Sequence, residues 1–140
     1  MSSIDQVFWM LSWDRDEKTQ QDGIREAQKN RYLSVLFRPV SIQPIEYKSV
    51  WENCAKVIAS KSDDDLERYY LKMFEWLQDM NHPGAEIIHD RLIEMPLNRI
   101  AYSFQSSLKK ARALNDKTWT HWLIAFQQEY EALHHNQLIV

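Results

Sequence analysis

An all-helical single domain is what this sequence predicts, and three observations carry that expectation. Only two glycines and four prolines occur in 140 residues, too few for the many tight turns of an all-β fold. Apolar residues recur at i, i+3, i+4 and i+7 along most of the chain, which is the period of one buried helix face. Apolar residues make up 44% of the composition, enough for one continuous core at this length and too many for a chain disordered for want of burial. The expected domain runs over the whole sequence, residues 1–140.

The first helix is expected after Ser3, with Ile4, Val7, Phe8 and Leu11 on one face. Ser12-Trp13 breaks that pattern. Asp14 stands where a cap belongs and Glu17 three residues on, the spacing of a capping box, so a second, mostly polar helix is expected from there to about Asn30. Its inward residues are Ile24 and Ala27. Tyr32 to Phe37 is a short apolar run, either one helical turn or a buried extended piece. Arg38 to Pro44, with two prolines, is the longest irregular connection expected.

From about Ile45 the pattern becomes regular. One face is Trp51, Cys54, Ala55 and Ile58, and the next is Leu66, Tyr70, Met73, Phe74 and Leu77. A third is Ala85, Ile88, Leu92 and Met95. A fourth carries Leu97, Ile100, Ala101, Phe104, Leu108 and Ala111. The last carries Trp119, Trp122, Leu123, Phe126, Tyr130 and Leu133. Connections this short make consecutive helices antiparallel. Pro83 cannot sit inside a helix but is tolerated where one starts, so Asn81-His82 turns the chain and Pro83-Gly84-Ala85 opens the next helix. Pro96 repeats the device. Helix, proline turn, helix is the construction of α-solenoid repeats of the HEAT type. The expected architecture is therefore a HEAT-like stack of about seven antiparallel helices, with no strict internal sequence period.

The same composition narrows function. The opening MSSIDQVFWM has neither the basic cluster nor the apolar run of a secretory signal, and no stretch reaches the roughly 18 apolar residues of a membrane span. Cys54 is the only cysteine, so no internal disulfide forms, and its helical neighbours make it a buried thiol. A cytoplasmic protein is expected. A net charge of −3 and a pI near 5.9 suit neither direct nucleic-acid binding nor membrane binding, and are compatible with a basic protein partner.

Residues that carry chemistry are few. Glu86-x-x-His89 and Glu131-x-x-His134 have the spacing used in di-iron bundles, but both flank the apolar stripes and read as solvated helix faces. No Cys/His spacing suits zinc. No glycine-rich loop or nucleophile elbow occurs. No metal, no cofactor and no catalytic residue are expected, so the chain is read as a binding protein rather than an enzyme. Ser62 caps a helix that opens with Asp63, Asp64 and Asp65, where carboxylates complement the helix dipole. Such an exposed acidic turn also suits a basic partner. Of the six tryptophans, Trp51, Trp76, Trp119 and Trp122 are expected to pack between helices. Trp9 and Trp13, at a helix end, are the candidates for exposure, where aromatics anchor interfaces. Trp13, Asp14, Asp16 and Glu17, with Asp63, Asp64 and Asp65, form the expected partner-binding set. Both acidic groups lie at helix N-termini, which in a helical stack are expected to gather along one edge.

The segment Phe74-Glu75-Trp76-Leu77-Gln78-Asp79-Met80-Asn81-His82-Pro83-Gly84-Ala85 resembles a bacterial family of small HEAT-like helical proteins. The turn of that family reads close to Glu-Trp-Leu-Gln-Asp-Met-Asn-Trp-Pro-Gly-Ala. Leu11-Ser12-Trp13-Asp14 and Trp51-x-x-Cys54-Ala55 are similar to the same relatives, over roughly residues 5 to 95. His82 stands where tryptophan is usual, a change expected to loosen packing at the turn. Members occur as immunity proteins of polymorphic toxin systems, including contact-dependent inhibition. The resemblance implies an antitoxin that binds and neutralises a cognate toxin, and the mild acidity suits a basic toxin such as a nuclease. The alternative is a HEAT-like scaffold or adaptor without a toxin partner.

Overall fold

The computed structural model describes residues 4–37 and 48–135. These residues form helices and turns, with no strand among them. The expected irregular connection Arg38–Pro44 lies outside the described residues. Helix α1 is Ile4–Leu11, α2 is Glu17–Ala27 and α3 is Leu33–Leu36, the last entered through a 3-10 turn at Asn30–Tyr32. Helix α4 is Lys48–Ala59. A broken rod follows, with α5 at Asp63–Leu66, a 3-10 turn at Glu67–Tyr69, α6 at Tyr70–Glu75 and a 3-10 turn at Trp76–Gln78. Helices α7 (Ala85–Ile93), α8 (Leu97–Ala113) and α9 (Lys117–Leu133) complete the fold.

The apolar faces read from spacing are largely the faces that are buried. Trp51, Cys54, Ala55 and Ile58 of α4 are all in the core, as are Leu66, Tyr70, Met73, Phe74 and Leu77 along the broken rod. Burial pushes the Cys54 thiol pKa upward, which keeps it protonated and inert. The last face departs from expectation at two positions. Trp122 is half-buried and Leu133 is exposed, because α9 packs one side only, against α8, α7 and the Trp76–Gln78 turn.

Local boundaries shift for identifiable reasons. Asp16, not Asp14, caps α2: its carboxylate accepts from the Thr19 backbone N–H at 2.8 Å. Hydrogen bonding from the Thr19 side chain, and then from its backbone N–H, holds the Asp16 pKa below the usual carboxylate value. Asp14 is taken up earlier, where its backbone N–H donates to the Ser12 hydroxyl at 3.2 Å. Glu17 is consequently the first residue of α2, so the expected capping box is not formed, and the helix ends at Ala27 rather than near Asn30. Tyr32–Phe37 resolves as one helical turn.

The turn after the broken rod is built by Gly84. Its φ of 82° lies in the left-handed region, which a residue without Cβ adopts freely. A Cβ there would sit 2.8 Å from the Ala55 Cβ and 2.9 Å from the Trp51 carbonyl, so α7 starts almost in contact with α4. Pro83 stands just before the cap, outside the helix. Its carbonyl accepts from the Trp76 indole at 3.2 Å, and the Asn81 N–H donates to the Asp79 carboxylate at 2.9 Å. His82 fills its place by packing its ring edge-on to Trp51, with centroids 5.0 Å apart.

Contacts along the chain give the helix directions. Gly84, at the start of α7, lies on Glu52 and Ala55 of α4. At the other end, Arg91 donates to the Lys61 carbonyl at 2.8 Å, just past the end of α4, so α4 and α7 run parallel. His89 meets Glu129 at 2.7 Å and His134 meets the Ile93 carbonyl at 2.7 Å, so α7 and α9 run parallel too. Between them, Arg99 reaches Asp64 at 2.7 Å and Phe104 packs on Phe74 at 5.8 Å, which sets α8 parallel to the broken rod. Helices α4, α7 and α9 thus lie side by side on one layer, with the rod and α8 behind them.

Phe126 joins the two layers. It is fully buried and its ring meets Phe74, Phe104, Tyr130 and His89 at 5.3–5.9 Å between centroids. Phe126→Ala is expected to cost about 3–5 kcal/mol, the range for deleting a buried aromatic. Chemical denaturation should show the loss as a lower midpoint at unchanged slope.

Candidate interaction groove

The layer formed by α4, α7 and α9 carries two adjoining concavities. One, of about 510 Å³, is lined by Glu52 of α4, by Met80 to Gly84 of the turn, and by Glu86, Ile87 and Asp90 of α7. The other, of about 180 Å³, is lined by Met80, His89, Trp122, Ala125, Phe126 and Glu129. Met80 belongs to both, so they form one groove across the three helices. Among the described residues, four carboxylates line it, Glu52, Glu86, Asp90 and Glu129, and no lysine or arginine does. Its floor and walls are apolar at Met80, Ile87 and Trp122.

Positive charge near the groove is limited. Lys56 approaches Glu52 at 4.0 Å, one turn along the same helix and half exposed. His82 is the one titratable base of the larger concavity. Burial lowers its pKa against the opposing pull of Asp79, and Lys48 pushes the same way as burial. With its pKa below the ordinary value, His82 is neutral at pH 7 and adds no positive charge beside the carboxylates. Among the described residues Glu86 has no ion-pair partner.

His89 corrects the reading of the Glu-x-x-His pairs as solvated faces. Its side chain is only 14% exposed, with Nδ1 2.9 Å from Asp90 and Nε2 2.7 Å from Glu129. It clamps α7 to α9 at the groove floor. His134 likewise stacks on Tyr130 at 3.8 Å and bonds to the Ile93 carbonyl. The two pairs are not brought together, and among the described residues no group of three or more His, Cys, Asp or Glu is arranged to hold a metal.

The residues expected from sequence to meet a partner lie elsewhere and do not share one edge. Trp13, Asp14, Asp16 and Glu17 sit at the α1–α2 corner, all exposed. Asp63, Asp64 and Asp65 open α5. The Lys61 ammonium, two residues before, donates to the Gln28 carbonyl at the far end of α2. An 11-residue helix, roughly 16 Å long, therefore separates the two acidic groups. Ser62 caps α5 as expected, accepting from the Asp65 N–H at 3.1 Å. Asp63 is bound to Arg91 at 2.6 Å and Asp64 to Arg99 at 2.7 Å, so the apparent acidic patch is partly neutralised by two helices that follow it. The groove was missed because its carboxylates, spread over three helices, each look like ordinary surface charge.

A family model described as a domain of unknown function (DUF5071) matches residues 51–139. It covers more than half of the sequence, and the chain belongs to that family. The match takes in the whole groove, from Glu52 to Glu129, and leaves out the α1–α2 corner. No curated protein and no solved structure matches.

Proposed function

We propose that this DUF5071 chain is an immunity protein whose groove across α4, α7 and α9 binds and blocks a basic protein toxin. The observation that carries the reading is the groove itself: four carboxylates beside the apolar side chains of Met80, Ile87 and Trp122, with no lysine or arginine among the described residues of its lining. A partner lysine or arginine would lay its aliphatic stem on Met80 and Ile87 and bring its charge to Glu52, Glu86 and Asp90. An apolar partner side chain would fill the smaller concavity against Trp122 and Phe126. Negative potential over such a surface speeds encounter with a basic protein and repels acidic ones.

The parallel neighbours α4, α7 and α9, backed by the broken rod and α8, support a HEAT-like stack, in which one helix layer forms the binding face. The step from binding protein to antitoxin rests on the similarity of Leu11-Ser12-Trp13-Asp14 and Trp51-x-x-Cys54-Ala55 to relatives that occur as immunity proteins, beside the HEAT-like turn at Phe74–Ala85. A cytoplasmic site of action follows from that role. In this reading the groove replaces the Trp13–Glu17 corner and the Asp63–Asp65 turn as the centre of the contact. Immunity genes directly follow their toxin genes, which gives the test. Expression of the reading frame immediately upstream should arrest growth, and co-expression of this chain should restore it. A harmless upstream product, or arrest that this chain does not relieve, would count against the antitoxin role and favour a general adaptor.

A further inference from the structure

The α1–α2 corner holds an arginine that the fold leaves unmatched. Among the described residues Arg25 pairs with Asp22, Arg31 with Glu26, Arg91 with Asp63 and Arg99 with Asp64, while Arg68 and Arg112 are solvent-exposed. Arg15 is partly buried, yet among the described residues its guanidinium has neither an ion-pair nor a hydrogen-bond partner, and its Nε is shut away from solvent. It lies over the Trp9 ring, 4.5 Å from the centroid. Together they border a concavity of about 300 Å³ whose walls include Asp5, Ser49 and Val50. Trp9 and Trp13 are 55% and 51% exposed. A buried, unpaired donor is costly, and stacked arginine beside exposed tryptophan is the composition of interface anchors.

The occupant must bring apolar area for two indoles and a carboxylate for Arg15. This corner itself carries both, since Trp13 stands among the exposed carboxylates of Asp14, Asp16 and Glu17. A two-fold axis sets each residue of a patch against its counterpart's neighbours, so a patch holding both signs can complement itself. We propose that the corner is a self-association surface on which a second copy of this chain docks, Trp9 and Trp13 packing across the axis and Arg15 of each copy meeting the other's acidic residues. Two half-exposed indoles offer roughly 200 Å² per copy, against about 800 Å² per partner in a standard interface. The dimer is therefore weak and reversible, and forms without the groove.

Sedimentation equilibrium of the full chain from about 5 to 500 μM tests this. Reversible monomer–dimer behaviour is expected, with the association constant reduced at least about tenfold in Trp9→Ala/Trp13→Ala and in Arg15→Glu. Arg15→Glu keeps the tryptophans, so it serves if the double variant does not fold. A monomer at every concentration would overturn the proposal, and so would self-association of undiminished strength in the folded variants. Toxin neutralisation is not read by this experiment, so its outcome is separate from that of the immunity reading.

Discussion

Gly84→Ala is expected to destabilise the protein by roughly 2–5 kcal/mol, enough to unfold a marginal domain at moderate temperature. Two terms add. A non-glycine residue held at a φ of 82° costs about 1–2 kcal/mol against the backbone. The new methyl would also sit 2.8 Å from the Ala55 Cβ and 2.9 Å from the Trp51 carbonyl, an overpacking worth about 1–3 kcal/mol. Relief requires α7 to move off α4, and backbone cannot yield as a flexible side chain would. Gly23 is the instructive comparison. A Cβ there meets the Met10 Cβ at 2.7 Å, but no positive φ is involved, so Gly23→Ala should cost less than Gly84→Ala. Thermal unfolding of the two variants side by side measures the difference. Equal losses would mean that crowding alone, and not backbone conformation, fixes Gly84.

Helix positions were legible because one period repeats for more than eighty residues. The buried sets at Trp51–Ile58, Leu66–Leu77 and Ala85–Met95 follow directly from spacing. Proline and glycine placed the turn at residues 79–84 for the same reason, since few residues tolerate that backbone. Cap choice was harder. Asp14 and Asp16 both precede α2, and only the Ser12 hydroxyl, by engaging the Asp14 backbone N–H, decides between them. Charge was the least legible property. Asp63 and Asp64 find Arg91 and Arg99, 28 and 35 residues away in sequence, and His89 finds Glu129 on another helix. No local spacing encodes such partners. They appear only when parallel helices are laid side by side, and the groove, whose four carboxylates come from three helices, appears with them.

Neutralising the groove should slow capture of a basic partner by about tenfold or more at low salt, within the range by which charge accelerates encounter. Glu52→Gln, Glu86→Gln and Asp90→Asn together remove three of its four carboxylates and leave Glu129 to hold His89 between α7 and α9. The effect should shrink as salt rises, because exposed charges are screened beyond about 10 Å at 0.1 M. Asp63→Asn/Asp64→Asn/Asp65→Asn is the matching control. It removes as many charges, two of which are already paired with arginines. The most direct measurement is the association rate of each variant with the product of the reading frame immediately upstream, the toxin in the proposed reading, at low and high salt. A large, salt-sensitive loss for the groove variant and a small one for the control is the predicted result. A folded groove variant that associates at the wild-type rate under both conditions would contradict the account.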